Sequence, residues 1–261
     1  MISTITDERI KPFTGLNERQ LRTLHEPESG CFICESERVI RRALAAGYEI
    51  DAILAEDSNE AVVSEWMVSQ PGAQGYVASY EVLRGITGYS LTGGLLALMR
   101  RKKLPEARTL AEAAAKVVIL DDVENPTNTG AIFRCCAALG AEAVLLTDGC
   151  ADPLSRRASR VSMGTVFAVP WAYMGADEID VLKDMGYHIT VMELTEDAVC
   201  LRQSRAKAAP KRAVVMGNEN AGVRKRLLNV CDEKVMIPMQ HEVDSLNVAA
   251  AAAIALWELF G

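Results

Sequence analysis

From Lys116 to Ile237 short apolar runs alternate with segments of helical pattern, and this alternation restricts the fold more than any other feature of the chain. Lys116-Val-Val-Ile-Leu120 is a continuous apolar run of the kind buried on both faces in a parallel sheet. Residues 121–130, rich in Asn, Pro, Thr and Gly, are expected to form a turn, and 131–139 a helix closed by Gly140. Next come a strand at 144–146, a basic helix near 153–162, a strand at 165–169 and a helix at 177–185. Strands at 188–192 and 213–216, a helix near 224–228 and a strand at 234–237 complete the series. Strands and helices in this order predict an α/β fold, a parallel sheet covered on both faces.

A smaller alternating α/β unit is expected over 31–103. Phe32-Ile-Cys-Glu is followed by a helix around 36–46 with Gly47 as its stop, a strand at 50–54, and apolar segments near 62–68, 75–78 and 95–98. Residues 1–30 form a polar extension with a short helix expected at 17–24, and residues 104–115 read as a charged linker. At 261 residues, 49% hydrophobic and 24% charged, the chain is long enough for these two domains.

Asp7, Glu8, Arg9 and Lys11 interrupt any secretory signal, and the longest apolar run, 248–257, is too short to span a bilayer. A cytoplasmic protein with no membrane association is expected. Seven cysteines at irregular spacing do not suggest a disulfide framework. Cys31-Phe-Ile-Cys34 has CxxC spacing, but no second pair follows and only His25, His188 and His241 are present, so no metal site is expected. A net charge of −7 argues against indiscriminate nucleic-acid binding, yet phosphate contact requires only a local basic face. Clusters that could supply one are Arg38, Arg41 and Arg42, residues 100–103, then Arg156, Arg157 and Arg160, residues 202–212 and residues 224–226; solvated faces are the commoner explanation of such runs.

The default ligand for such a sheet is a nucleotide at its switch point. However, no GxGxxG follows the first strand, and Gly217-Asn-Glu-Asn-Ala-Gly222 lacks the Lys-Ser/Thr of a phosphate-binding loop. A nicotinamide-dependent oxidoreductase is disfavoured accordingly. Arg134, expected in the first turns of its helix, would be opposed by the helix dipole by roughly 0.3–1 kcal/mol. A substrate phosphate or a salt bridge to Asp121, Asp122 or Glu124 would compensate. Asn128 could orient Arg134 or a substrate hydroxyl, or simply form the turn. In the 217–222 loop the glycines let backbone approach a ligand, and Glu219 is the sole charge; alternatively Glu219 caps the next helix. At the C-terminus Leu246, Ala250, Ala253, Trp257 and Phe260 make one apolar stripe, with Asp244 and Ser245 as candidate N-caps. Taken alone, 237–260 is a docking helix with an ordinary cap.

Taken together, the loops carry more. Asn125-Pro-Thr-Asn128-Thr-Gly130-Ala-Ile-Phe-Arg134, Gly217-Asn-Glu219-Asn-Ala-Gly222, and Ile237-Pro-Met239 through Ser245-Leu-Asn247-Val resemble the three ordered motifs of the SpoU (TrmH-like) branch of the SPOUT RNA methyltransferases. Arg160-Val-Ser162-Met-Gly164 resembles a further segment typical of that family, and 31–103 is similar to the L30e-like RNA-binding domain that often precedes the methyltransferase domain, here 116–261. The resemblance implies a C-terminal deep trefoil knot, which topology rules would not otherwise suggest. It also implies S-adenosylmethionine as cofactor, a homodimer, and transfer to a ribose 2′-hydroxyl of structured RNA, with rRNA favoured over tRNA. Gly217, Ile237, Met239 and Leu246 would hold the cofactor. Asn128, Arg134, Glu219, Ser245 and Asn247 would form the reaction centre, and Arg38, Arg41, Arg42, Arg156, Arg157 and Arg160 would face RNA. His241 stands where the family pattern usually has glycine, and Ala249 where serine is frequent. The alternative is a knotted RNA-binding protein without methyltransferase activity.

Overall fold

A computed structural model describes residues 1–14, 30–91, 93–175, 178–241 and 243–261; the helix expected at 17–24 lies outside them. The chain forms two compact units.

The first unit comprises Met1–Lys103 and Leu154–Phe167. Its strands β1 (Cys31–Glu35), β2 (Ile50–Glu56), β3 (Gln74–Ala78) and β4 (Leu95–Arg100) form a sheet in the order β1-β4-β2-β3. β4 runs antiparallel to β1 and β2, while β3 is parallel to β2. Helices Glu37–Ala45, Glu60–Ser69 and Tyr80–Thr87 connect them. Ile10, Ile33, Leu54, Leu83 and Leu98 fill a core in this unit. Although its sequence lies within the expected 116–261 domain, 154–167 packs here. It is held there by Glu35 of β1, only 3% exposed, which accepts from Arg156 and Arg160 of the helix Arg156–Val161, and by Phe167, whose ring packs against Phe32 and Tyr48.

The second unit comprises Leu104–Pro153 and Ala168–Gly261. Strands β5 (Lys116–Leu120), β6 (Ala143–Leu146), β7 (Trp171–Tyr173), β8 (His188–Met192), β9 (Val199–Cys200), β10 (Arg212–Met216) and β11 (Glu233–Met236) form one sheet in the order β7-β6-β5-β10-β8-β11-β9. Every pairing in it is parallel. Val118, Val144, Val191 and Val214 are fully buried, as strands covered on both faces require. β10 lies between β5 and β8, with Val214 opposite both Val118 and Thr190.

Four local expectations are corrected. The helix expected to begin at Ala131 begins at Pro126: Asn125 caps it by accepting from the Thr127 N–H at 2.9 Å, and Pro126 supplies a preset φ in its first turn. No strand forms at 165–169. Thr165–Phe167 is a 3-10 turn, and the strand starts after Pro170, whose missing N–H cannot join a ladder. The linker at 104–115 carries a helix, Ala107–Ala113, because Leu110 and Ala111 pack into the core of the unit. Finally, the C-terminal helix Val248–Phe260 is capped by Asn247 rather than by Asp244 or Ser245, and it buries Ala252, Ala255, Leu256 and Leu259. Trp257, in the stripe chosen from sequence, is 70% exposed. A helix apolar on all sides offers two stripes, and the pattern alone cannot choose between them. This helix packs on Pro126–Leu139, and its last carbonyls accept from Lys116 (2.6 Å, at Phe260) and Arg212 (2.9 Å, at Leu259).

Candidate active site

At the C-terminal ends of β8, β10 and β11 a cavity of about 430 Å³ opens, floored by Met192, Met216 and Met236, the last residues of these strands. Two loops wall it, 217–222 and 237–247.

The first loop is fixed at each corner. A Cβ on Gly217 would lie 2.6 Å from Val223 and 2.7 Å from the Gly222 carbonyl carbon, so only glycine permits this approach. Asn218 and Gly222 exchange backbone hydrogen bonds at 3.0 and 3.1 Å, closing a tight turn. The Asn218 side chain donates to the Asp122 carbonyl at 2.8 Å and accepts from the Asn220 and Ala221 N–H groups. Glu219 is thereby held at the tip. Its carboxylate accepts from the Asn128 amide, and the Asn128 carbonyl oxygen accepts from Asn247 Nδ2 at 3.0 Å. Asn247 Oδ1 in turn accepts from the Ala249 N–H at 3.0 Å. Asn128, only 8% exposed, thus satisfies both ends of its amide and joins the two loops. Glu219 does not cap the helix Lys225–Val230, whose N-cap is Arg224.

Gly217, Ile237, Met239, Leu246, Glu219, Ser245 and Asn247 all border the cavity, with Asn128 bonded behind Glu219. Arg134 stands apart. It is the ninth residue of its helix, beyond the turns where the dipole would oppose it, so the dipole argument falls away. Six residues on from Asn128, it sits about 9 Å along the helix and about 120° around it, which does not bring it to Asn128. Asp121, fully buried, instead accepts from Arg224 Nε at 2.6 Å and from the Arg224 N–H at 2.8 Å, with Asp122 3.6 Å from Arg224. None of the described residues forms a salt bridge to Arg134, which is exposed.

In the first unit, Arg41 pairs with Glu37 (2.8 Å) and Glu65 (3.5 Å) and lies 5.4 Å over Trp66, Arg42 donates to the Met163 carbonyl at 2.6 Å, and Arg38 and Arg157 are exposed. Arg156 and Arg160 flank Glu35 and Tyr89; burial and the Glu35 hydrogen bond push the Tyr89 hydroxyl above its ordinary range. Among the described residues no group of three or more His, Cys, Asp or Glu gathers as metal ligands, and no helix is long and apolar enough to cross a membrane. Cys31 and Cys34 are buried in β1, where burial pushes both thiols up, Cys31 to about 11.

The profile of the SpoU rRNA Methylase family matches residues 115–257. This chain belongs to that family. An uncharacterized tRNA/rRNA methyltransferase of Mycobacterium bovis is 36% identical over 97% of this chain and 88% of its own length. The 23S rRNA (guanosine(2553)-2′-O)-methyltransferase of Bacillus subtilis is 28% identical over 100% of this chain and 99% of its own. Among solved structures, the AdoMet-bound rRNA methyltransferase from Sinorhizobium meliloti superposes with a TM-score of 0.85 at 25% identity, covering 99% of this chain and 96% of that one.

Both departures of this SpoU chain from the family pattern have a local explanation. His241 adopts φ 57°, the left-handed conformation that glycine enters freely and that His tolerates better than most residues. The N–H of Ala249 is already bonded to Asn247, so the helix start is capped without a serine hydroxyl. Sequence reasoning missed the contribution of β8: Met192, Glu193 and Leu194 also line the cavity, as do Asn218 and Asp244. The rule that ligands bind beyond the C-terminal ends of parallel strands could have found them, had it been legible that β8 neighbours β10.

Proposed function

We propose that this chain transfers the methyl group of S-adenosylmethionine to a ribose 2′-hydroxyl of structured RNA, ribosomal rather than transfer RNA. The observation that carries this reading is the Glu219–Asn128–Asn247 hydrogen-bond chain at the edge of the 430 Å³ cavity. The reaction named for the B. subtilis relative and the AdoMet named for the S. meliloti structure agree with it.

The residues present suit that cofactor. The cavity volume falls within the range of about 300–1,000 Å³ usual for small-molecule sites. Gly217, Ile237, Met239 and Leu246 hold the cofactor, Gly217 through backbone at a point where a side chain is barred. When bound, S-adenosylmethionine supplies a methyl group already activated by its sulfonium. The protein's own task is therefore to align a hydroxyl and manage one proton. Asn128, bonded at both ends, keeps Glu219 and Asn247 in place before RNA arrives, a preorganised polar edge against which Ser245 orients the ribose. Guanidinium does not deprotonate in proteins, so Arg134, which stands apart from the cavity, serves as a clamp on an RNA phosphate, and the proton of the ribose hydroxyl passes to phosphate or water. Its exposure and lack of a salt bridge to any described residue leave its planar fork available to RNA.

The same reading assigns 31–103 as an L30e-like RNA-binding domain, with Arg38, Arg41, Arg42, Arg156, Arg157 and Arg160 toward RNA, joined through 104–115 to a methyltransferase domain over 116–261. It makes 237–260 the threaded segment of a trefoil knot and the protein a cytoplasmic homodimer. Ile254, 42% exposed, and Trp257, 70% exposed, give the C-terminal helix an apolar outer face for such a dimer. Isothermal titration with S-adenosylmethionine tests the reading: saturable one-to-one binding per chain is expected, and no binding would leave an RNA-binding protein without methyltransferase activity. Mapping 2′-O-methyl groups in RNA from cells lacking the protein would then identify the substrate.

A further inference from the structure

Among the described residues three carboxylates line the cavity: Glu193, Glu219 and Asp244. Glu219 is engaged by Asn128, and Asp244 lies in the exposed second loop. Glu193 differs from both. It follows the last residue of β8, and its own N–H is bonded to the Val235 carbonyl at 3.1 Å, so its backbone is fixed against β11. One carboxylate oxygen accepts from the Val223 N–H at 2.8 Å and the other from the Leu194 N–H at 3.2 Å. A Cβ on Gly222, whose φ is 69°, would lie 2.6 Å from the same carboxylate. The side chain is therefore seated against the 217–222 turn with each oxygen using one acceptor position, and a carboxylate has roughly four.

From this arrangement we infer that Glu193 is a cofactor-binding residue that accepts hydrogen bonds from the vicinal ribose hydroxyls of S-adenosylmethionine. Two oxygens held side by side, each with acceptor capacity left, match two adjacent hydroxyl donors. An acidic residue near the end of a parallel strand, beside a glycine turn, recognises a nucleoside ribose in the same manner in dinucleotide-binding sheets. A single point charge such as the ammonium of the amino-acid end would not need two fixed oxygens. The glycine pattern of those sheets is absent, and sequence reasoning on that pattern alone would have discounted a ribose-binding carboxylate here. The inference rests on S-adenosylmethionine being the cofactor.

Isothermal titration of the full chain with S-adenosylmethionine, with 5′-methylthioadenosine, which keeps the diol but lacks the amino-acid end, and with a methylthioadenosine analogue lacking both ribose hydroxyls separates the possibilities. Glu193→Ala should weaken binding of the first two by about tenfold or more, the loss expected for hydrogen bonds to a charged acceptor, and leave the third unchanged. Glu193→Gln, which keeps one oxygen for the Val223 N–H, should fall between the wild type and Glu193→Ala and melt within a few degrees of the wild type, guarding against misfolding. Unchanged affinities in Glu193→Ala overturn the inference, as does a loss confined to S-adenosylmethionine, which would assign Glu193 to the amino-acid end. An equal loss for the analogue without hydroxyls overturns it too, by reducing Glu193 to support of the turn. Failure of the wild type to bind S-adenosylmethionine overturns the cofactor reading itself, a result no Glu193 variant can produce.

Discussion

The two loops that wall the cavity are built in opposite ways. In 217–222 each end is tied down, by the Gly217 approach, the Asn218 turn, the Asp122 carbonyl and Glu193. In 237–247 the described hydrogen bonds are the backbone contact from Val243 to Gln240 at 3.3 Å and those of Asn247, whose side chain bonds Asn128 and Ala249 and whose carbonyl accepts from Ala251 at 2.9 Å. Residues Val243–Asn247 are all exposed, and His241 holds a left-handed conformation. The contrast separates two tasks. The fixed loop carries the charged Glu219, whose position must not depend on ligand. The second loop lines the cavity with Ile237, Met239 and Leu246, which on the proposed function would pack against the bound cofactor. Asn128 is the point where the two meet.

The largest effect is therefore expected at that junction. Asn128→Ala removes two hydrogen bonds at a buried position and leaves Glu219 without its donor, a loss of about 1–3 kcal/mol in stability. Methyl transfer should fall by two orders of magnitude or more while S-adenosylmethionine affinity changes less; near-wild-type turnover in a single-turnover assay would show that the loops need no tie. Next, Arg134→Lys should reduce transfer at least tenfold with cofactor affinity unchanged, because a point charge cannot reproduce the planar fork. Nearly full activity would defeat the clamp.

A smaller effect is expected in the second loop. His241→Gly relieves a left-handed non-glycine residue, worth about 1 kcal/mol, against the greater chain entropy of glycine. Cofactor affinity should stay within about threefold by titration, and a tenfold loss would mean that the imidazole itself shapes the wall. The smallest effect serves as a control away from both loops. Burial tends to raise the Glu233 carboxyl, but hydrogen bonds from Ser204 (2.5 Å) and from the Arg205 N–H (3.1 Å) hold it below its ordinary value. Its contribution to stability is therefore present above the unfolded carboxylate range and lost as pH falls through the lowered folded value. Glu233→Gln should flatten the melting temperature below about pH 4.3 without altering cofactor binding.

Much of this was legible in the sequence because apolar runs specify parallel strands directly: Lys116–Leu120 and His188–Met192 form the strands their composition requires. The loops that bring Glu219, Ser245 and Asn247 to one cavity were legible because short motifs keep local spacing. Strand order was not, since β10 enters between β5 and β8 through contacts remote in sequence, and with it went Glu193 and the β8 side of the cavity. The start of the helix at Pro126 was hidden by turn-forming residues that also suit a cap, and the buried stripe of Val248–Phe260 was hidden by a helix apolar all round. The attachment of 154–167 to the first unit was not legible because its ties, Glu35 to Arg156 and Arg160, Arg42 to the Met163 carbonyl, and Phe167 against Phe32 and Tyr48, join residues more than 100 positions apart.

Methyl transfer to a ribose is read by incubating the wild-type chain with methyl-labelled S-adenosylmethionine and ribosomal RNA, then digesting the RNA to nucleosides. Label is expected in one 2′-O-methylated nucleoside, strongly reduced with Asn128→Ala. Label in a base, or none in RNA while the cofactor still binds, would rule out ribose methylation of ribosomal RNA by this chain.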